Sequence, residues 1–212
     1  MEYKIHSFRH AEEIFNVDED FKKLWKEVKK VLDDISDNSI INEFNSETRQ
    51  AKSISEAINK LIDIGLKQKG WNSQSQIFAD RDYCDKKGTW RLDFAKETIA
   101  IEVAFNHGGN VSWNLIKPVL SSELNHVEKA IQTQAGIIIT ATDKMKKAGG
   151  FDGAIGTYEK YVEYLKPLNN NLTTPMILIG LEPPKTFVVK HKKENNKNVG
   201  YIVTKKKEKI KN

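Results

Sequence analysis

The run Ile99 to Phe105, Ile-Ala-Ile-Glu-Val-Ala-Phe, constrains the fold of this chain most. Side chains alternate faces along a strand, so Ile99, Ile101, Val103 and Phe105 point one way, and Ala100, Glu102, Ala104 and Asn106 the other. Upstream, Leu92-Asp93-Phe94 is a second short apolar run, and the polar connector Lys96-Glu97-Thr98 between the two marks a β-hairpin. Leu92 and Phe94 share a face in that reading, which leaves Asp93 beside Glu102 across the pair.

Two carboxylates held side by side repel, so they need a metal ion, a basic partner or open water. Mg²⁺ is a hard ion that takes one or two carboxylates and completes its shell with waters and phosphate oxygens. Small neighbours such as Ala100 and Ala104 leave room for a phosphate beside Asp93 and Glu102. The spacing alone fits equally well a solvated hairpin in which Arg91 or Lys96 pairs with the two acids.

Asp93 followed by Ile101-Glu102-Val103-Ala104-Phe105 resembles the metal-binding hairpin of type II restriction endonucleases of the BglII and BstYI kind, and more distantly BamHI, within the PD-(D/E)xK nuclease superfamily. Lys69-Gly70-Trp71 ahead of the hairpin, Asn110-Val111-Ser112 after it and the late run Pro175 to Gly180 agree, so the resemblance spans residues 53 to 183. It implies a restriction-endonuclease-like core and Mg²⁺ held by Asp93, Glu102 and the Val103 carbonyl. It further implies cleavage of double-stranded DNA by a homodimer at a short palindrome, with a staggered cut that leaves 5′-phosphates. Two positions after the Glu the superfamily usually carries a third active-site group, Lys in most members and Glu or Gln in the closest ones, and this chain has Ala104 there. That role is then empty, filled by water, or taken by Asn106, His107 or Lys96. By the same resemblance Asn110, Ser112 and Asp152 are candidates for base contacts, Lys146 and Lys147 for phosphate contacts, and Glu56 for an additional acid.

At 212 residues, 39% hydrophobic and 30% charged, the composition is that of a soluble globular chain with room for a real core. The apolar runs at 136–139 and 176–179 are strand-sized and far below the roughly 20 residues of a membrane span. The N-terminus has no apolar signal segment, and the lone Cys84 excludes an internal disulfide; both fit a cytoplasmic protein. Charge is uneven: residues 185 to 212 hold ten Lys and two Glu, a net +8, which leaves −3 for the rest. The chain therefore divides into a single nuclease domain over 1–184 and a Lys-rich tail over 185–212. Such a tail is either an arm that follows a polyanion or a solvated end.

Helical periodicity predicts helices over 19–36, with Asp18 as N-cap, and over 54–68, introduced by the capping-box pattern Ser53-Ile54-Ser55-Glu56. Strands are expected at 3–8, 74–78, 135–140 and 175–181, and 37–52 reads as a loop. In the charged loop 80–88 the resemblance offers one of Asp80, Asp82 or Asp85 as an outer metal ligand; the alternative is a solvated loop. An apolar stripe from Leu115 to Ile131 predicts a helix reaching Thr133, started or kinked at Pro118. Residues 144–153 read as a basic, glycine-rich loop before a helix over 154–165, for which Asp152 is the N-cap candidate.

Together these elements give an α/β fold, a mixed sheet flanked by helices. Two rival functions keep part of the evidence: a structure-specific repair or junction nuclease using the same two acids, and a non-catalytic DNA-binding protein in which Ala104 marks a lost site.

Overall fold

The computed structural model describes residues 1–46, 51–80, 82–83, 89–124 and 126–205. Cys84, Asp85 and the final lysines of 206–212 lie outside the described residues.

The chain opens with strand β1 (Tyr3–Phe8) and helices α1 (Ala11–Val17) and α2 (Glu19–Asp34). Asp18 caps α2 as its sequence predicts, accepting hydrogen bonds from the Asp20 and Phe21 N–H groups. The segment expected as a loop after residue 36 contains helix α3 (Asp37–Ser46). Its polar sequence hides it: Ile40 is the one residue of α3 that is fully buried. Helix α4 (Ser55–Gln68) follows, presenting Ile58, Ile62 and Leu66 to the core. Then come β2 (Asn72–Gln76) and the expected hairpin, β3 (Arg91–Lys96) and β4 (Ile99–Val103). A 3₁₀ turn (Gly108–Asn110) leads into α5 (Val111–Ser122), followed by β5 (Ala135–Ala141), α6 (Asp143–Ala148), α7 (Tyr158–Leu165) and β6 (Met176–Leu181).

The described residues build a six-stranded mixed sheet in the order β1-β6-β5-β4-β3-β2. β4, β5 and β6 run parallel in its middle, while β1, β3 and β2 are antiparallel to their neighbours. Every residue of β5 and β6 is buried, as a parallel centre covered on both faces requires. On one face Ile99, Ile101, Ile137, Ile139, Ile177 and Ile179 pack with α1, α2 and α4. On the other, Ala104, Ile138, Met176 and Leu178 pack under α5 and α7.

Three expectations are corrected. The helix after the hairpin stops at Ser122 instead of reaching Thr133, and Glu123 is already extended. Residues beyond it run beside the sheet, with Lys129 bridged to Phe78 and the Ala130 N–H donating to the Ile77 carbonyl. Val127 and Ile131 thus fill a small cluster with Ile77, Leu92 and Ala100, an apolar demand that imitates a helical stripe. The glycine-rich segment contains α6, capped by Thr142, with Lys146 and Lys147 in its last turn; α7 starts only at Tyr158, so its N-cap is Thr157 and not Asp152. Finally, the Lys-rich C-terminal tail folds over most of its length into a hairpin, β7 (Phe187–Glu194) and β8 (Lys197–Thr204). Phe187 and Val189 belong to the main core and anchor the hairpin on it, while Lys190, Lys192 and Lys193 are exposed.

Candidate functional site

β3 and β4 pair from the turn as far as Phe94 with Ile101, and there the ladder stops. On the other side of β3, pairing with β2 joins Ser73 to Phe94 and Ser75 to Leu92, but skips Gln74 and Asp93. Gln74 has φ 51°, a left-handed conformation that costs a non-glycine residue roughly 1 kcal/mol. Strict alternation breaks at this point. Phe94 lies in the main core while Leu92 packs with Ala95 and Ala100 on the opposite face, so the expectation that Leu92 and Phe94 share a face fails.

Side chains take over where the backbone ladder ends. The Asp93 N–H donates to Glu102 Oε1 at 3.3 Å, and the Val103 N–H donates to Asp93 Oδ2 at 2.7 Å. The two carboxylates therefore converge as the sequence predicts, each locked to the other's strand. Asp93 is half-buried and its Oδ1 accepts from Gln74 Nε2 at 3.3 Å. It lines a hollow of about 170 Å³ together with Asn59, Asp63, Ser73, Gln74, Phe94 and Val103. Glu102 lies deeper, 2% exposed. Burial, and after it the charge of Asp93, push the Glu102 carboxyl up to about 8, against the pull of a lysine ammonium.

That lysine is Lys117 of α5, whose Nζ lies 2.5 Å from Glu102 Oε2 with its side chain 13% exposed. Sequence reading missed it, because a lone lysine beside Pro118 on an apolar helix carries no motif. The register of α5 over the sheet, which no local pattern announces, brings it to the acids.

The expected substitutes for the third group are engaged elsewhere. Lys96 sits at the far end of the hairpin, bonded to both oxygens of Glu27 and to the Lys69 carbonyl. Asn106 is exposed, and its Oδ1 accepts from Asn114 Nδ2, which also donates to the buried Tyr161 hydroxyl. His107 is exposed and caps the 3₁₀ turn, its Nδ1 accepting from the Gly109 N–H.

Other candidates stand further off. Glu56, exposed on the first turn of α4, lines a separate hollow with Lys52, Phe105, Phe151 and Asp152. The acid that α4 places in the hollow of Asp93 is Asp63, one oxygen of which accepts from Ser73 and the other from Lys67. The N-cap of α4 is Ile54, which has no side-chain cap, and not Ser53, whose Oγ accepts from the Ser55 N–H at 3.4 Å. Asp152 is exposed; its Oδ2 pairs with Lys52 at 2.8 Å and its Oδ1 accepts from the Ala154 N–H, contacts that hold its carboxyl below the usual range. Asn110 is exposed just before α5, Ser112 sits in its first turn, and Lys147 is exposed on α6 beside the half-buried Lys146. Asp80 and Asp82 face each other locally, the Asp82 N–H donating to Asp80 Oδ1.

Residues 3–181 match the family described as restriction endonuclease BglII/BglIII. The chain belongs to that family. It is accordingly a site-specific type II endonuclease, an enzyme of the hydrolase class. Among solved structures it resembles restriction endonuclease BglII complexed with a DNA 16-mer, at 21% identity and a TM-score of 0.65, over 97% of this chain and 100% of that one. It also resembles free BglII, at 20% identity and a TM-score of 0.52 over the same shares. Comparison with curated protein sequences gives no match. The restriction-endonuclease-like α/β architecture expected from the sequence is thus the one this family member has.

Restriction endonucleases generally use divalent metal ions, and the site has the chemistry for one. Its donors are hard oxygens, the carboxylates of Asp93 and Glu102 with the Val103 backbone beside them. The Lys117 ammonium stands 2.5 Å from Glu102 Oε2, a positive charge that a divalent ion would have beside it.

Proposed function

We propose that this BglII-family enzyme hydrolyses phosphodiester bonds of double-stranded DNA at a short palindromic site in an Mg²⁺-dependent reaction, acting as a homodimer and leaving 5′-phosphates. The observation that carries the reading is the Asp93–Glu102 pair, two acids from adjacent strands brought together where the ladder stops.

Asp93 and Glu102, with the Val103 carbonyl as a further oxygen, would hold the ion. Bound there, Mg²⁺ would supply the charge that makes water a nucleophile and the leaving oxygen stable. The protein's own part is positional. Hydrogen bonds from the Asp93 and Val103 N–H groups fix one oxygen of each carboxylate, so the pair needs little rearrangement when charge develops beside it. Burial of Glu102 excludes bulk water from one side of the pair, while the hollow at Asp93 leaves the other side open to a phosphate.

Sequence discrimination is assigned to Asn110 and Ser112 before and within α5 and to Asp152 after α6, and phosphate contacts to Lys146 and Lys147. A two-fold dimer supports the palindromic reading, because two identical sites related by a dyad address two strands of a symmetric sequence.

The test is digestion of a sequenced plasmid with Mg²⁺, beside a chelator control and Glu102→Gln. Discrete fragments that disappear in both controls, with ends carrying 5′-phosphates, are the expected result. Random nicking would turn the reading toward a structure-specific nuclease, and an intact plasmid despite tight binding would remove catalysis from it.

A further inference from the structure

Position 104 is where related nucleases place their third active-site group, and here it is closed to one. The Ala104 methyl is 1% exposed and packs with Val111, Leu115 and Val119 beneath α5. A longer side chain at that point would have to displace the helix. The same helix carries Lys117 onto the face that Glu102 and Ala104 share, its ammonium 2.5 Å from Glu102 Oε2. Both Glu102 oxygens are then pinned, Oε1 by the Asp93 N–H and Oε2 by Lys117.

Stability does not explain this arrangement. Desolvating two charges costs about what their attraction returns, and buried pairs can commonly be replaced by apolar residues without loss. A lysine kept between a helix and the small-residue face of a sheet therefore points to a use for its charge. Lys96, Asn106 and His107 are all committed to other contacts.

We propose that Lys117, carried by α5, is a positioning residue that acts on the site through Glu102. The assignment rests on the reading of Asp93 and Glu102 as the nuclease site. The lysine holds Glu102 in one orientation beside Asp93.

The test uses a plasmid that the wild-type protein cuts, in single-turnover cleavage with Mg²⁺, for Lys117→Met, Lys117→Gln and Lys117→Arg. Two binding readouts accompany it: DNA affinity in Ca²⁺, and Ca²⁺ affinity without DNA by calorimetry. Cleavage by Lys117→Met should fall on the order of 100-fold while DNA affinity is unchanged. Its Ca²⁺ affinity should hold or rise, because a positive charge beside the carboxylates is gone. Lys117→Arg should recover most of the lost rate.

A merely structural lysine gives a different pattern, with cleavage, DNA binding and Ca²⁺ binding falling together, and that pattern overturns the proposal. So does a folded Lys117→Met or Lys117→Gln protein that cuts within about threefold of wild type. Should Lys117→Met fail to fold, Lys117→Gln and Lys117→Arg carry the comparison. A wild-type protein that cuts no plasmid fails earlier, at the nuclease reading itself, and takes this assignment with it.

Discussion

The buried Glu102 ties protonation to both stability and metal binding. Its carboxyl is raised from an ordinary value of 4.5 to about 8, first by burial and then by Asp93. Below pH 4.5 the folded and unfolded chains both hold the proton; between 4.5 and about 8 the folded chain keeps a proton that the unfolded chain has lost. Stability contributed through this residue therefore declines as pH rises across that window. In thermal melts of metal-free protein, Glu102→Gln should become progressively more stable relative to wild type from pH 5 to pH 8, and a difference independent of pH would contradict it. A divalent ion must displace the same proton, so its apparent affinity should climb as pH approaches 8 and then level off, as calorimetry at several pH values would record. At this scale Asp93 and Glu102 were legible because the turn after Lys96 brings their strands side by side, even though the alternation expected of Leu92 and Phe94 breaks at Asp93. Lys117 was not, since its partner lies across a helix–sheet packing contact fixed by tertiary structure.

The element that delivers Lys117 is seated by an absence of side chain. A Cβ on Gly136 of β5 would lie 2.7 Å from Pro118 Cβ and 3.0 Å from Met176 Cγ, so α5 rests on bare backbone at that point. Gly136→Ala should lift the helix, destabilising the protein by roughly 1–3 kcal/mol in urea melts and slowing cleavage further than the melt accounts for. Equal activity per folded molecule would mean that the register of α5 does not matter to the site. Elements marked by a helical stripe, α2 and α4, by two apolar runs about a turn, the β3–β4 hairpin, or by an unbroken apolar run, β5 and β6, could be read from sequence. Helix α3 could not, for lack of a stripe. Nor could the true end of α5, because Val127 and Ile131 satisfy a sheet-side cluster at spacings a helix would also allow.

Across the whole molecule the basic C-terminal segment joins two properties that sequence alone separates. Its apolar side seals the core through Phe187 and Val189, while Lys190 and Lys193 are exposed on the hairpin. The His191 ring nitrogen Nε2 lies 3.0 Å from the Lys52 carbonyl and 3.2 Å from that of Gly150, a residue at φ 71°, so the hairpin also holds the loop that bears Asp152. Phe187→Ala should cost about 3–5 kcal/mol of stability by chemical denaturation. Lys190→Gln with Lys193→Gln should leave the melt unchanged and, if this side meets phosphate, lower the slope of log affinity against log salt by about 2. An unchanged slope would leave the hairpin a structural part only. The charge asymmetry was plain in the composition; that ten lysines share a segment with core residues was not, because β7 alternates over only its first three positions before turning polar.

The outermost strand has one further consequence, for the newborn chain. Among the described residues β1 pairs with β6 alone, Tyr3 against Leu181, so it has no strand neighbour until the chain has been made as far as β6. Until then β5, buried along its whole length in the finished enzyme, is an unprotected apolar edge. Loop closure over such a span slows folding, and an incomplete chain that exposes this edge associates with others like it. The sheet that holds the two acids is therefore completed only once β6 has been made, and a cell making this enzyme meets sticky fragments before it meets a nuclease.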